Sequence, residues 1–181
     1  GDYMSVVVAL VTLNGIAMAC DGRRVLVDPG EEDNPTCDFE IDPNDNFPKI
    51  HLLCGKYALI YCGISSLPYG KWDYTKEELP WLESLLSTGK YTVKEVAEQF
   101  NERLSNVLCI PGREKAYNFA LAGYENNYPV LIRHNDRKKI EELGLKGDMF
   151  YQGLVAAGNT GNIDKITKDQ QLDYDHMGIM D

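Results

Sequence analysis

Apolar positions along the chain fall into short runs of two kinds, one with the unbroken or alternating apolarity of strands and one with the three-and-four spacing of helices. Residues 5–13 (SVVVALVTL) and 16–20 (IAMAC) flank Asn14-Gly15. Both turn residues tolerate positive φ, so the pair predicts a type I′ hairpin centred on Asn14-Gly15. The pattern repeats twice, in residues 50–54 and 57–62 across Gly55-Lys56, and in residues 118–124 and 129–133 across Glu125-Asn126-Asn127. Val25-Leu26-Val27 reads as a further short strand. Residues 151–157 (YQGLVAA) read as another, ahead of the turn Gly158-Asn159-Thr160-Gly161, and the stretch between His134 and Phe150 as a polar connector.

The helical signals lie in the middle of the chain. Thr75-x-x-Glu78 has the form of a capping box ahead of Leu79, Trp81, Leu82, Leu85 and Leu86, with Pro80 early enough in that helix to be tolerated. A second box, Thr92-x-x-Glu95, precedes Val93, Val96, Ala97, Phe100, Leu104 and Leu108, which predicts one long amphipathic helix whose apolar stripe is core. The order hairpin, hairpin, two helices, hairpin, strand predicts an α+β domain of sheets covered by helices, with no internal repeat.

Composition narrows the function classes. At 181 residues and 44% apolar, the chain has the size and apolar content of a single domain with a substantial core. A net charge of −10 argues against a nucleic-acid surface, which needs clustered Lys and Arg. The negative charge is concentrated between Asp28 and Asn46, where eight acidic residues occur without a Lys or Arg, and this stretch reads as a solvated acidic loop. Its Asp42-Pro43-Asn44-Asp45-Asn46 lacks the ligand spacing and closing Glu of an EF-hand, and His51, His134 and His176 share no ligand motif, so neither metal nor cofactor is expected. Five cysteines, Cys20, Cys37, Cys54, Cys62 and Cys109, form no C-x-x-C pair and point to a reducing, cytoplasmic setting. Cys20 and Cys62, within strand-like runs, read as small buried hydrophobes. No apolar run reaches the length of a membrane span, and the start has no signal-peptide pattern.

Counting residues links the hairpins. Asp21 stands sixteen residues after Ser5, and Gly63 stands fourteen after Lys49, the first residue of Lys49-Ile50-His51-Leu52-Leu53. These offsets resemble those of proteasome β-type subunits and of the bacterial two-component protease HslV. In that family a nucleophile opens the first strand, an aspartate closes the second, a lysine opens the third and an oxyanion-lining glycine follows the fourth. Ala122-Gly123-Tyr124 is similar to the family's third-hairpin strand, and Ala157-Gly158-Asn159-Thr160 to its Gly-Ser-Gly turn, with Asn159 at the serine position. The resemblance covers roughly residues 5–161 and implies one proteasome-like domain over 1–181, with 28–46 as an acidic insertion. The fold implied is the αββα sandwich of N-terminal-nucleophile hydrolases. Two departures stand out: Ser replaces Thr as nucleophile, preceded by four residues, and the domain is expected to lack the family's C-terminal helices and strands.

By this resemblance the catalytic set is Ser5, Asp21, Lys49, Gly63 and Asn159. A serine hydroxyl needs a base, and a terminal α-amine, with a pKa near 8, can serve if Ser5 is freed. Lys49 would lower the hydroxyl's pKa, Asp21 would hold Lys49 charged, and the Gly63 N–H would donate to the oxyanion. Each residue also has a plain structural reading: Ser5 as a strand start, Asp21-Gly22 as a turn, Lys49 as a solvated strand entry, Gly63 as a strand end. Those readings do not predict that both offsets hold together. The implied activity is a peptidase or amidohydrolase acting on peptides or amides. Implied partners are further copies of the chain, as a ring, and an ATP-driven unfoldase. The alternatives are a non-catalytic scaffold subunit of the same fold and an unrelated small-molecule-binding α+β domain that matches the spacing by chance.

Overall fold

The computed structural model describes residues 6–22, 25–27, 39–41, 46–67, 71–108, 117–134 and 140–158. Its centre is a six-stranded sheet, in the order β12 (Met149–Tyr151), β11 (Ile140–Lys146), β10 (Tyr128–His134), β9 (Tyr117–Glu125), β6 (Tyr57–Gly63), β5 (Ile50–Leu53). All its neighbouring pairs are antiparallel. A three-stranded antiparallel sheet, β13 (Gly153–Gly158), β1 (Val6–Thr12), β2 (Gly15–Cys20), lies over one face of it. Helices α1 (Leu79–Ser87) and α2 (Val93–Val107) cover the other face. Two short ladders complete the described structure, β3 (Val25–Val27) with β4 (Phe39–Ile41), and β7 (Ser66–Leu67) with β8 (Trp72–Asp73). This is a mixed α+β fold with three layers among the described residues.

The unbroken apolar runs of β6, β9 and β10 follow from their place in the middle layer, because a strand buried on both faces has no polar side to show. Alternation sends Leu59, Tyr61, Phe119, Leu121 and Ile132 to the helices, and Ile60, Cys62, Ala120, Ala122 and Leu131 to the small sheet. In β1, Val7, Ala9 and Val11 face the large sheet and are buried, while Val6, Val8 and Leu10 point outward and are half-buried.

Several sequence expectations change in the structure. The first turn is Leu13-Asn14, one residue earlier than predicted, with Thr12 paired to Gly15, and Asn14 keeps a negative φ. Thr12 Oγ1 accepts from the Asn14 N–H at 3.2 Å, a local bond that substitutes for the Asn-Gly turn. The third hairpin does close on two positive-φ asparagines, Asn126 (52°) and Asn127 (66°). The expected polar connector contains β11 and β12. Its glutamates mask the strand because β11 is half exposed near the sheet edge. The acidic stretch contains β4, and residues 42–45 of the calcium-like segment 42–46 lie outside the described residues.

The second capping box forms as predicted: Thr92 Oγ1 accepts from the Glu95 N–H at 3.2 Å, and Glu95 Oε2 accepts from the Thr92 N–H at 2.8 Å. The first does not. Asp73 caps a single wide turn, Tyr74–Glu78, ahead of α1, and Glu78 is fully buried instead, accepting from Trp72 Nε1 at 2.8 Å and Arg103 Nε at 2.6 Å. A carboxylate so placed must be paired, and it ties the segment before α1 to α2.

Candidate active site

The site is built where the three-stranded and six-stranded sheets meet at one end. The β1–β2 hairpin carries Val6 and Asp21 to the same level: the Asp21 N–H donates to the Val6 carbonyl at 3.0 Å, and the Val6 N–H donates to Asp21 Oδ1 at 3.2 Å. The Phe47 N–H then donates to the Gly22 carbonyl at 2.9 Å, so the chain returns from the acidic segment beside the point where it left. Lys49 follows at the threshold of β5, its carbonyl accepting from the Tyr61 N–H at 2.9 Å.

Lys49 is 4% exposed, and its ammonium donates to Asp21 Oδ1 in an ion pair whose aspartate is 31% exposed. The expectation of a solvated strand entry fails for this lysine. Burying an ammonium is costly, and a hydrophobic side chain of similar volume would usually serve stability as well. The pair therefore asks for a reason beyond packing. Its carboxylate is held from two sides, by Lys49 and by the Val6 N–H, which fixes the ammonium's position at the head of β1. Chemically, such a pair presents a localised positive charge that favours an anion or alkoxide beside it.

Gly63 closes β6 opposite Tyr117, with a φ of 129° that side-chain-bearing residues rarely adopt. The next two carbonyls are anchored: Ile64's accepts from Tyr61 Oη at 2.5 Å, and Ser65's from the Tyr74 N–H at 2.9 Å. Sequence reasoning passed over Tyr61, which sits in an apolar strand with nothing to distinguish it from core. Ser5 and Asn159 lie outside the described residues, although Val6 and Gly158, their covalent neighbours, pair with each other.

Of the cysteines, Cys62 is buried between the sheets as expected, but Cys20 is exposed because β2 is an edge strand. His51 tilts against Tyr74, with ring centroids 5.5 Å apart, and burial lowers its pKa below the usual 6.5. His176 lies outside the described residues. Among the described residues there is no cluster of metal-ligating side chains and no helix long and apolar enough to cross a membrane.

No protein-family model and no curated protein matches the sequence. Solved structures do. Anbu, the ancestral β-subunit, from Yersinia bercovieri superposes with a TM-score of 0.55 at 19% identity, over 94% of this chain and 65% of that one. An Anbu (Gly-1) mutant from Hyphomicrobium sp. strain MC1 superposes with a TM-score of 0.58 at 14% identity, over 97% of this chain and 68% of that one. The chain thus spans about two thirds of the length of these structures. At such identities the likeness concerns the fold alone, a mixed α+β arrangement shared with these proteasome-like structures. It also corrects the family resemblance drawn from motif spacing: the matching structures are Anbu proteins, a proteasome-like group distinct from the proteasome β-type subunits and HslV. Short offsets shared across a fold family do not resolve its branches.

Proposed function

We propose that the chain is an N-terminal-nucleophile hydrolase acting on peptide or amide bonds, with Ser5 as nucleophile and its α-amine as base. The observation that carries this reading is the buried Lys49–Asp21 ion pair beside the head of β1. Ser5 is joined covalently to Val6, whose N–H donates to the same Asp21 carboxylate. Lys49 would stabilise the hydroxyl as alkoxide while Asp21 fixes the ammonium, and the terminal amine would relay the proton to the leaving group. The Gly63 N–H would face the developing oxyanion. Asn159, one residue past the Val6–Gly158 pair, would orient the amine.

The outward side of the small sheet supports a finer version of the fold. Val6, Val8, Leu10, Ala17, Ala19 and Leu154 give it an apolar surface, suited to a second helical layer that would complete an αββα sandwich over one domain. We further read the protein as cytoplasmic and as a homo-oligomer of ring type, open to an unfoldase partner. The Anbu likeness and the odd cysteine count support this.

Mass spectrometry of the untagged protein, with peptide vinyl sulfone labelling, tests the reading. The expected result is a mature chain beginning at Ser5 that takes one label, with the Lys49→Ala rate lower by roughly 10²-fold or more. An intact Met4–Ser5 bond would sink the catalytic proposal in favour of a scaffold role, and unchanged labelling in Lys49→Ala would remove the role of Lys49.

A further inference from the structure

We propose that Tyr61 is a positioning residue for Gly63, acting through a clamp on the backbone that leaves it. The inference rests on the reading of Gly63 as the oxyanion donor. Two stacked tyrosines, Tyr61 on β6 and Tyr74 in the wide turn before α1, lie with ring centroids 4.1 Å apart and rings 14° from parallel. Both are buried to within 2% of completely. Each holds one of two successive carbonyls, Ile64's by the Tyr61 phenol and Ser65's by the Tyr74 N–H. Burial pushes the Tyr61 pKa well above its usual 10, so at neutral pH the phenol keeps the proton it donates.

The clamp answers a mechanical need. Gly63 is the last residue of β6, and its φ of 129° lies where glycine is least restrained by its own sterics. A preorganised oxyanion donor must nevertheless hold its direction closely, because a misplacement of about 1 Å can cost roughly 10²-fold. The β6–β9 ladder fixes the chain before Gly63, and the Tyr61 and Tyr74 anchors fix it after. Tyr61 lies two residues before Gly63 on the same strand, so phenol and glycine move as one body.

Tyr61→Phe in the full chain removes the hydroxyl and keeps the stacked ring. Two reagents separate positioning from general damage. A peptide epoxyketone is attacked at its ketone carbon, whose oxygen gathers the negative charge before the amine opens the epoxide, so its inactivation rate depends on the oxyanion donor. A peptide vinyl sulfone takes the hydroxyl across its carbon–carbon double bond, with the proton finishing on the carbon beside the sulfone, and makes no carbonyl oxyanion. The expected result is a fall of about tenfold or more in the maximal epoxyketone rate, against about 10²–10³ for loss of a whole donor. The vinyl sulfone rate should stay within about twofold. Tyr117→Phe, which removes a phenol bonded to Ser105 and Asn101 of α2, controls for stability and should leave the ratio of the two rates unchanged. A matching change in that control, or equal slowing of both reagents in Tyr61→Phe, overturns the proposal.

Amide exchange at residues 63–65 reads the clamp without any activity. It should speed up at least fivefold in Tyr61→Phe, and exchange within twofold of the unmodified chain overturns the clamp. Faster exchange in a protein that neither reagent labels overturns instead the hydrolase reading and the role of Gly63. In the unmodified chain the Tyr61 hydroxyl proton should give a slowly exchanging resonance, and its absence overturns the clamp with no substitution needed.

Discussion

The two faces of the six-stranded sheet are made of different stuff. Towards the helices it presents rings and large aliphatics: Tyr61 against Tyr74, Phe119 against Phe100 at 4.9 Å, with Trp81 beyond. Towards the small sheet its buried residues are Ala120, Ala122 and Cys62 beside Ile60 and Leu131, with no aromatic ring among them, met by Ala9 and Val7 of β1. The helix side has bulk and tunable packing. The inter-sheet side packs two sheets together, and Asp21 and Lys49 meet at its end. Stability should therefore be governed chiefly from the first face and the geometry of the Lys49–Asp21 pair from the second, with the Tyr61 clamp as the first face's contribution to the site.

Phe100→Ala should produce the largest loss, about 3–5 kcal/mol for a fully buried aromatic, or roughly 6–20 °C in Tm by calorimetry. The folded fraction should still take a vinyl sulfone at the normal rate. If labelling vanished in folded protein, the helix face would be steering the Lys49–Asp21 pair as well, and the division would fail. Ala120→Leu should cost less, about 1–3 kcal/mol of overpacking, yet slow labelling in folded protein by pushing β1 away from β9. Labelling at the normal rate would show that the gap between the sheets is compliant. The smallest effect concerns pH. His51 is partly buried on the helix side with Nε2 unbonded among the described residues, and its folded pKa is depressed. Below pH 6.5 the unfolded chain takes the proton more readily, so the stability from the neutral ring is full above 6.5 and is lost as pH falls. Tm measured from pH 7 to 5 should fall less steeply in His51→Leu than in the unmodified chain, and parallel curves would remove His51 from the account.

The contrast also explains what the sequence could disclose. Runs buried on both sides, such as Tyr57–Cys62 and Phe119–Leu121, announce central strands, and fixed offsets through two tight hairpins bring out Asp21 and Lys49. What stays hidden depends on tertiary partners. Glu78 looks like a cap until Trp72 and Arg103 reach it, β11 looks like a connector because only part of it is covered, and Tyr61 looks like core because its phenol acts on a backbone carbonyl. Motif spacing points to proteasome β-type subunits and HslV, whereas the solved structures that match are Anbu proteins.

The place of β1 between β2 and β13 has a consequence in time. One flank of β1 is paired by a neighbour fifteen or fewer positions away, whereas the other waits for a strand that ends at Gly158. During synthesis roughly 7–30 s would separate the two at the usual 5–20 residues per second. The head of β1, where a nucleophile would have to be released, thus gains its second flank only after the helices and the large sheet have been made. Pulsed hydrogen exchange should find the β1–β2 bonds protected before the β1–β13 bonds. On that schedule the two partners of the Lys49–Asp21 ion pair have both been made well before β1 is locked on its second flank.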